Sequence, residues 1–219
     1  MRWRESEGVG WLEAELPRTR VVFSTRSAGS VKADPRPLAA ALGIDAGRIL
    51  SGRQVHGAEL AFHEKAGPGQ LEVDGHVIRE PGPIALVYTA DCLPVALAGP
   101  EGAAMLHCGW RGMAAGIVAR GAEAVAATHA VIGPGIGPCC YEVGEDVSSS
   151  FARLGGGVAS GRMLDLPKVA RRLLREAGVT DVESADLCTS CEEELFFSHR
   201  RDGGAGRQAG LAWIETEVD

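Results

Sequence analysis

Short apolar runs separated by polar or glycine-containing turns recur along the chain, and this pattern predicts β-strands. Near the N-terminus, Trp11–Leu16 and Arg20–Ser24 form two such runs. A stretch rich in Gly and Pro, Lys65–Gln70, predicts a loop between later strands. The remaining strands are predicted at Arg48–Val55, Ile84–Thr89, Pro94–Ala98, Ala103–Leu106, Ala130–Ile132, Val182–Leu187, Leu195–Phe197 and Leu211–Ile214.

Three segments instead show apolar residues at helical spacing. The first helix is predicted at Arg36–Leu42 and ends at Gly43. The second is the alanine-rich segment Met113–Ala127, and the third starts after Asp165, a good N-cap residue, and carries one apolar stripe. Because several strands follow one another without a helix between them, we expect an α+β fold with layered mixed sheets and flanking helices.

Length, charge and cysteine content narrow the class of protein. The chain has 219 residues, a length that fits one domain spanning 1–219, and a net charge of −7 that argues against a nucleic-acid or anionic-membrane surface. The most apolar stretch, Pro83–Leu97, is interrupted by Asp91 and is shorter than the ~20 residues of a membrane helix. No apolar export signal begins the sequence, so we expect a cytoplasmic protein. In that compartment the six cysteines, two of them adjacent, are expected to be reduced thiols with metal or catalytic roles.

Candidate metal ligands stand at three predicted strand ends. His56 precedes Gly57, Cys92 follows Asp91, and His107 closes the Ala103–Leu106 strand. Sulfur and imidazole are ligands that zinc prefers, and three protein ligands leave one coordination position for water or substrate. Each residue alone is weak evidence, because a single histidine is usually structural and a single cysteine is usually a small buried hydrophobe.

Several longer motifs occur in a fixed order along the chain. They are Gln54–Gly57, Thr89–Pro94, His107–Gly112, Gly133–Val143, Asp186–Thr189, Phe196–Arg201 and Gly206–Arg207. Together they resemble the YfiH/laccase-domain family of purine nucleoside phosphorylases, long labelled polyphenol oxidases, and the match runs from about Phe23 to Ile214. Two departures are Cys108, where relatives usually have Ala, and His76, which has no family role.

The resemblance implies a single YfiH-like domain with one zinc ion held by His56, Cys92 and His107. It also implies phosphorolysis of adenosine, inosine and S-methyl-5'-thioadenosine to the free base and the (methylthio)ribose 1-phosphate, together with adenosine deamination. The expected partners are therefore purine nucleosides and inorganic phosphate, with neither nucleic acid nor membrane. The expected assembly is a monomer or a weak homodimer.

Further residues are candidates for catalysis and substrate binding. Cys92 and His107 are catalytic candidates as well as ligands, and Asp91 is a candidate general acid/base or an orienting partner for a ligand histidine. Arginine suits bidentate phosphate binding. The substrate and phosphate candidates are Arg26, Gln54, Arg111, Cys140 and Arg201, with Arg200 and Arg207 close to the last of these.

Other functions remain open on the residues alone. A multicopper oxidase is improbable, because six histidines without a His-x-His pair cannot ligate four coppers, although copper can still occupy a Cys/His site. Cys92 and His107 can also form a nucleophile–base pair in a hydrolase or a peptidoglycan-precursor editing enzyme. A purely structural zinc module is disfavoured, because such sites have four ligands, often in Cys-x-x-Cys pairs.

Overall fold

The computed structural model describes residues 1–63 and 71–216, and the loop predicted at 65–70 lies outside this part of the chain. Its strands are β1 Arg2–Ser6, β2 Val9–Leu16, β3 Thr19–Ser24, β4 Ile49–Leu50, β5 Leu60–His63, β6 Gly75–Ile78, β7 Ile84–Thr89, β8 Leu93–Gly99, β9 Gly102–Cys108, β10 His129–Ile132, β11 Ala159–Ser160, β12 Met163–Leu164, β13 Asp181–Ser184 and β14 Gln208–Ile214. Its α-helices are α1 Arg36–Leu42, α2 Trp110–Ala114, α3 Ile117–Val125, α4 Glu145–Ser149, α5 Leu166–Glu176 and α6 His199–Asp202.

Twelve of these strands form two mixed sheets of six strands each. The first sheet has the order β1-β2-β3-β14-β7-β4 and is antiparallel except where β4 pairs with β7. The second has the order β13-β10-β8-β9-β6-β5, with parallel pairs at its two edges. This arrangement confirms the predicted α+β class with layered mixed sheets.

The second sheet is the central layer of the molecule. On β8, Leu93, Val95 and Leu97 pack into a core shared with α2, α3 and α5, whereas Ala96 packs into the core between the two sheets. Successive side chains of a strand point to opposite faces, so both faces of this sheet are covered. That double burial explains why the inner strands β8, β9 and β10 are almost continuously apolar, whereas the edge strand β13 is partly exposed and more polar.

Two helix predictions agree closely with the structure, and one is wrong in its continuity. Arg36–Leu42 is helical and ends at Gly43, which is left-handed as expected. Asp165 accepts a hydrogen bond from the backbone N–H of Lys168 at 2.9 Å and so caps α5. The helix predicted at Met113–Ala127 is instead divided into α2 and α3, because Gly116 adopts a φ of +93° that a continuous helix does not permit.

Two strand predictions fail where a glutamine side chain replaces a neighbouring strand. In the Arg48–Val55 segment only β4 is a strand, and Gln54 bonds both the backbone N–H and the C=O of Tyr88, each at 2.8 Å. Leu195 ends a turn, Phe196 and Phe197 are irregular, and Gln208 makes the equivalent pair of bonds to the backbone of Phe197. Outside β4, glutamine side chains therefore supply hydrogen bonds between these two segments and a neighbouring strand in place of a backbone ladder.

Candidate metal centre

His56 stands in an irregular loop that a single buried carboxylate fixes. The Asp74 side chain accepts backbone N–H bonds from Val55 at 3.1 Å, His56 at 3.0 Å and Gly57 at 2.7 Å. His56 itself has a φ of +61°, a conformation uncommon for residues other than glycine. Three hydrogen bonds to one carboxylate hold the loop in this shape, with the imidazole beside that of His107.

The same carboxylate orients the second histidine. Asp74 Oδ1 lies 2.7 Å from Nδ1 of His107 in β9, and the backbone N–H of His107 donates to the Asp74 carbonyl, also at 2.7 Å. A carboxylate on Nδ1 fixes the ring orientation and leaves Nε2 as the ligand atom, an arrangement common around metal-bound histidines. Sequence reasoning did not single out Asp74, because its role depends on contacts with residues distant in sequence.

Cys92 is positioned by a tight turn between β7 and β8. Its neighbour Asp91 has a φ of +89°, and the Asp91 carboxylate accepts bonds from the Thr189 hydroxyl and the Arg200 backbone N–H, both at 2.7 Å. A side chain at Gly109 would come within 2.9 Å of the Cys92 sulfur, so glycine is needed there. Asp91 thus connects the turn that carries the thiol to Thr189 and to the backbone of Arg200.

The three candidate ligands meet at one point. The ligand atoms of His56, Cys92 and His107 all lie within 4.8 Å of one another, and the two imidazole centroids are 4.9 Å apart. One sulfur and two nitrogens are a donor set that suits zinc and also accepts copper. The residues therefore form a group that can hold one metal ion, with an open side toward the solvent cleft.

The pKa values of this group reflect close electrostatic coupling. Burial raises the pKa of Cys92, but His107 and His56 outweigh that effect and lower it to about 6. Burial lowers the pKa of His107, whereas Cys92 and Asp74 raise it overall to about 9. The thiol is therefore readily ionised, and a metal that binds His107 must displace its proton.

The candidate ligands open into a cleft of about 970 Å³ whose charged lining is mainly basic. Its cationic side chains are Lys32, Arg53, Arg111, Arg200 and Arg207, against the acidic pair Glu72 and Asp91. Three aromatic side chains complete the walls: Tyr88, Trp110 and Tyr141. Although the whole chain is acidic, this cleft can accept an anion beside a planar ring.

The predicted substrate and phosphate residues separate into two groups. Gln54 and Arg111 line the cleft, and the Arg111 guanidinium stacks over Trp110 at 4.6 Å. Within the described residues, Arg26, Cys140 and Arg201 are not among those that line it. The Arg26 guanidinium donates a hydrogen bond to the Glu193 carbonyl. The Arg201 guanidinium donates to the carbonyls of Thr189 and Ser190. Both side chains are therefore engaged in hydrogen bonds to the backbone.

The glycine-rich loop after β10 has its backbone donors occupied. Gly133, Gly135 and Ile136 donate to the carbonyls of Pro94, Leu187 and Asp91. These bonds favour a positioning role for the loop over anion binding.

Cys108 does not line the cleft, because it is buried in the core beneath the helices. Among the described residues, none of the helices combines the length and apolarity needed to cross a bilayer.

Comparisons with known proteins identify the family of this chain. A family model described as "Multi-copper polyphenol oxidoreductase laccase" matches residues 24–215. A purine nucleoside phosphorylase of Deinococcus radiodurans is 39% identical over 201 residues, which cover 82% of this chain and 77% of that protein. A purine nucleoside phosphorylase of Xylella fastidiosa is 37% identical over 183 residues, covering 74% and 70%.

Solved structures show the same fold. The Bacillus licheniformis hypothetical protein YfiH superposes with a TM-score of 0.85 at 25% identity, covering 97% of this chain and 99% of that one. YlmD from Geobacillus stearothermophilus gives a TM-score of 0.83 at 28% identity, covering 98% and 99%. With a family model that spans most of its length and relatives of this similarity, the chain belongs to the YfiH/laccase-domain family.

Proposed function

We propose that the protein is a zinc-dependent purine nucleoside phosphorylase that acts on adenosine, inosine and S-methyl-5'-thioadenosine. The observation that carries the proposal is the meeting of His56, Cys92 and His107 at the wall of a basic cleft with aromatic sides. The relatives named purine nucleoside phosphorylase support it. A bound zinc ion would supply a Lewis acid that polarises an oxygen of the substrate.

The basic side chains of the cleft are proposed to hold phosphate. Phosphorolysis requires a phosphate oxygen to attack the anomeric carbon while the glycosidic bond breaks and its electron pair leaves with the purine. Arg111 is the leading phosphate ligand, because it lines the cleft and, within the described chain, its guanidinium group stacks over Trp110 without a hydrogen bond or ion pair. Arg200 and Arg207, whose guanidinium groups each donate to one backbone carbonyl, complete the anion site.

The aromatic side chains are proposed to hold the base. Trp110 and Tyr141 both line the cleft, and the guanidinium groups of Arg111 and Arg200 lie over their respective rings. Burial, together with Cys92 and Asp91, raises the pKa of Tyr141 to about 12 against the opposing effect of the two arginines. Its hydroxyl therefore stays protonated near neutral pH and can donate a hydrogen bond to the departing purine.

Asp91 is proposed as a positioning residue rather than a general acid or base. Its two carboxylate oxygens already accept bonds from Thr189 and Arg200, and these bonds fix the turn that presents Cys92. The carboxylate that orients a ligand histidine is Asp74. Adenosine deamination, in which water replaces the amino group, is proposed as a second activity of the same cleft.

Product analysis tests the proposal directly. Zinc-loaded protein is incubated with adenosine, with and without phosphate, and the products are separated. Adenine and ribose 1-phosphate that form only with phosphate are the expected result, and inosine formed without phosphate marks deamination. If no nucleoside is converted by fully loaded protein, the proposal is wrong.

A second candidate, a cysteine hydrolase, is favoured by the low pKa of Cys92 next to His107. The two functions make opposite predictions for a thiol-directed probe. A metal-bound thiolate is a weak nucleophile, so the phosphorylase proposal predicts labelling of Cys92 only after zinc is chelated. Equal labelling before and after chelation would favour the hydrolase.

A further inference from the structure

Four cysteines outside the cleft converge in space. Cys139 and Cys140 lie in the turn after β10, and Cys188 and Cys191 lie in the loop after β13. Their sulfur atoms are all within 4.8 Å of one another, and the Cys191 sulfur is 3.4 Å from those of Cys139 and Cys140. All four are free thiols.

The backbone that carries these cysteines is tied together independently of the thiols. Gly135 and Cys188 form a parallel bridge, and the Thr189 N–H donates to the Gly135 carbonyl at 3.0 Å. The Arg201 guanidinium donates to the carbonyls of Thr189 at 2.9 Å and Ser190 at 3.0 Å. The two loops are therefore preorganised, which reduces the entropy cost of assembling ligands around an ion.

Backbone donors also point at the sulfur of Cys188. The Gly137 N–H donates to it at 3.2 Å. Burial raises the pKa of Cys188, but the N–H groups of Gly137, Cys191 and Ser190 and the Cys139 thiol lower it overall. Hydrogen bonds of this kind stabilise a thiolate, which is the form that binds metal.

The spacing of the sulfurs fits tetrahedral coordination. With zinc–sulfur bonds of about 2.3 Å, the sulfurs of a tetrahedral site lie about 3.8 Å apart. The shortest separations here are 3.4 Å, and none exceeds 4.8 Å. Four soft thiolates in this arrangement select zinc over the harder divalent cations.

We propose that Cys139, Cys140, Cys188 and Cys191 form a closed structural site for one zinc ion, separate from the His56–Cys92–His107 centre. Each thiol gives up its proton to solvent on binding, and the four sulfur–zinc bonds complete the coordination, which leaves no position for substrate. The bound ion would link the Cys139–Cys140 turn to the Cys188–Cys191 loop.

A zinc ion at the four-cysteine site would stabilise two segments that contribute to the cleft. Tyr141, adjacent to Cys140, lines the cleft, and Thr189, adjacent to Cys188, bonds to Asp91 beside the Cys92 ligand. A loss of the four-cysteine site should therefore loosen one cleft wall while it leaves His56, Cys92 and His107 in place. The two metal sites can be distinguished by the number of sulfurs around each ion.

Metal analysis of protein purified under reducing conditions with zinc supplied tests the proposal. We expect two zinc ions per chain in the unaltered protein and one in the double variant Cys188→Ala/Cys191→Ala. Cys108→Ala, which removes a buried thiol that is not part of the four-cysteine group, is the matched control and should retain two ions. A double variant that keeps two ions, or an unaltered protein with one ion, would overturn the proposal.

X-ray absorption at the zinc edge of Cys92→Ala provides a test that does not require the double variant to fold. The remaining ion should have four sulfur neighbours at about 2.3 Å. Nitrogen or oxygen neighbours, or no zinc at all, would refute the site. A disulfide within the cluster of freshly purified protein, detected by mass spectrometry, would show redox pairing instead and would also refute it.

Discussion

At the residue scale, one buried carboxylate organises both candidate histidine ligands. The Asp74 carboxylate accepts a hydrogen bond from the backbone N–H of His56, which fixes the loop, and it also contacts Nδ1 of the His107 ring. Burial raises the pKa of Asp74, but the bonds from His107 and from the backbone of Gly57 and Val55 lower it overall. The carboxylate is therefore ionised wherever the protein is folded near neutral pH.

Removing the charge of Asp74 should weaken metal binding. Asp74→Asn is expected to lower zinc affinity at the His56–Cys92–His107 centre by about 10- to 100-fold, the usual effect of losing a carboxylate behind a ligand histidine. A chelator competition titration measures the change. Glu59→Gln, which alters an exposed carboxylate paired with Arg120, is the control and should keep the original affinity. Equal affinities for both variants would contradict the role of Asp74.

Arg111 is the residue on which the proposed phosphate site depends most. Arg111→Ala should lower kcat/KM for phosphate by about 10- to 100-fold, the loss of charge-assisted hydrogen bonds. Arg111→Lys keeps the charge without the bidentate fork and should recover part of the loss. Steady-state kinetics with varied phosphate check this, with Arg36→Ala, an exposed arginine paired with Asp34, as the control. Identical kinetics for all three variants would exclude Arg111 from the site.

A pair of stacked histidines in β5 and β6 should make stability depend on pH. His76 is 2% exposed, and its Nδ1 is 2.9 Å from Nε2 of His63. Burial, with a smaller contribution from His63, lowers the pKa of His76 to about 4 against the opposing effect of Asp74. The unfolded chain therefore binds a proton more readily, with a histidine pKa of about 6.5.

The lower pKa of His76 in the folded state determines the direction in which stability changes with pH. The free energy of unfolding should fall as the pH falls from about 6.5 toward about 4, because protonation favours the unfolded state in that range. Urea titrations at several pH values measure it. In His76→Leu the decline should be smaller than in the unaltered protein. An unchanged pH dependence in that variant would assign the effect to other groups.

At the element scale, alternation and capping predicted most strands and two of the helices. In the second sheet, β8, β9 and β10 agree with the prediction because two covered faces leave nearly every position apolar, whereas the short strands β5 and β6 were not predicted. The Gln54 and Gln208 segments were misjudged because side-chain amides, which periodicity ignores, satisfy the neighbouring backbone. The break between α2 and α3 depends on the conformation of one residue, Gly116.

Gly116 and Gly156 form a matched pair that tests this break. Both have open space where a Cβ would stand, but only Gly116 has a positive φ. Gly116→Ala should lower the free energy of unfolding by about 1–2 kcal/mol. Gly156→Ala should leave it unchanged or raise it by about 0.4–1 kcal/mol. Urea titrations compare the two, and equal effects would mean that the helix break is not conformationally required.

At the scale of the whole molecule, residues distant in sequence build one site. The strand-end positions of Cys92 and His107 could be read from the apolar runs, and the family motifs pointed to His56. The roles of Asp74, Thr189 and Tyr141 could not, because they follow from how the two sheets and the later loops pack together. For the same reason, the charge of Arg26 and Arg201 did not reveal that both are engaged with backbone.

The most direct test of the account compares two cysteine variants in one assay. Cys92→Ala and Cys108→Ala each remove one thiol, but only Cys92 faces the candidate metal centre. Zinc content and phosphate-dependent release of hypoxanthine from inosine are measured for both variants and for the unaltered protein. We predict that Cys92→Ala loses one zinc ion per chain and loses the activity. Cys108→Ala should keep the zinc content and the activity of the unaltered protein. A Cys92→Ala protein with full zinc content and full activity would contradict the central claim.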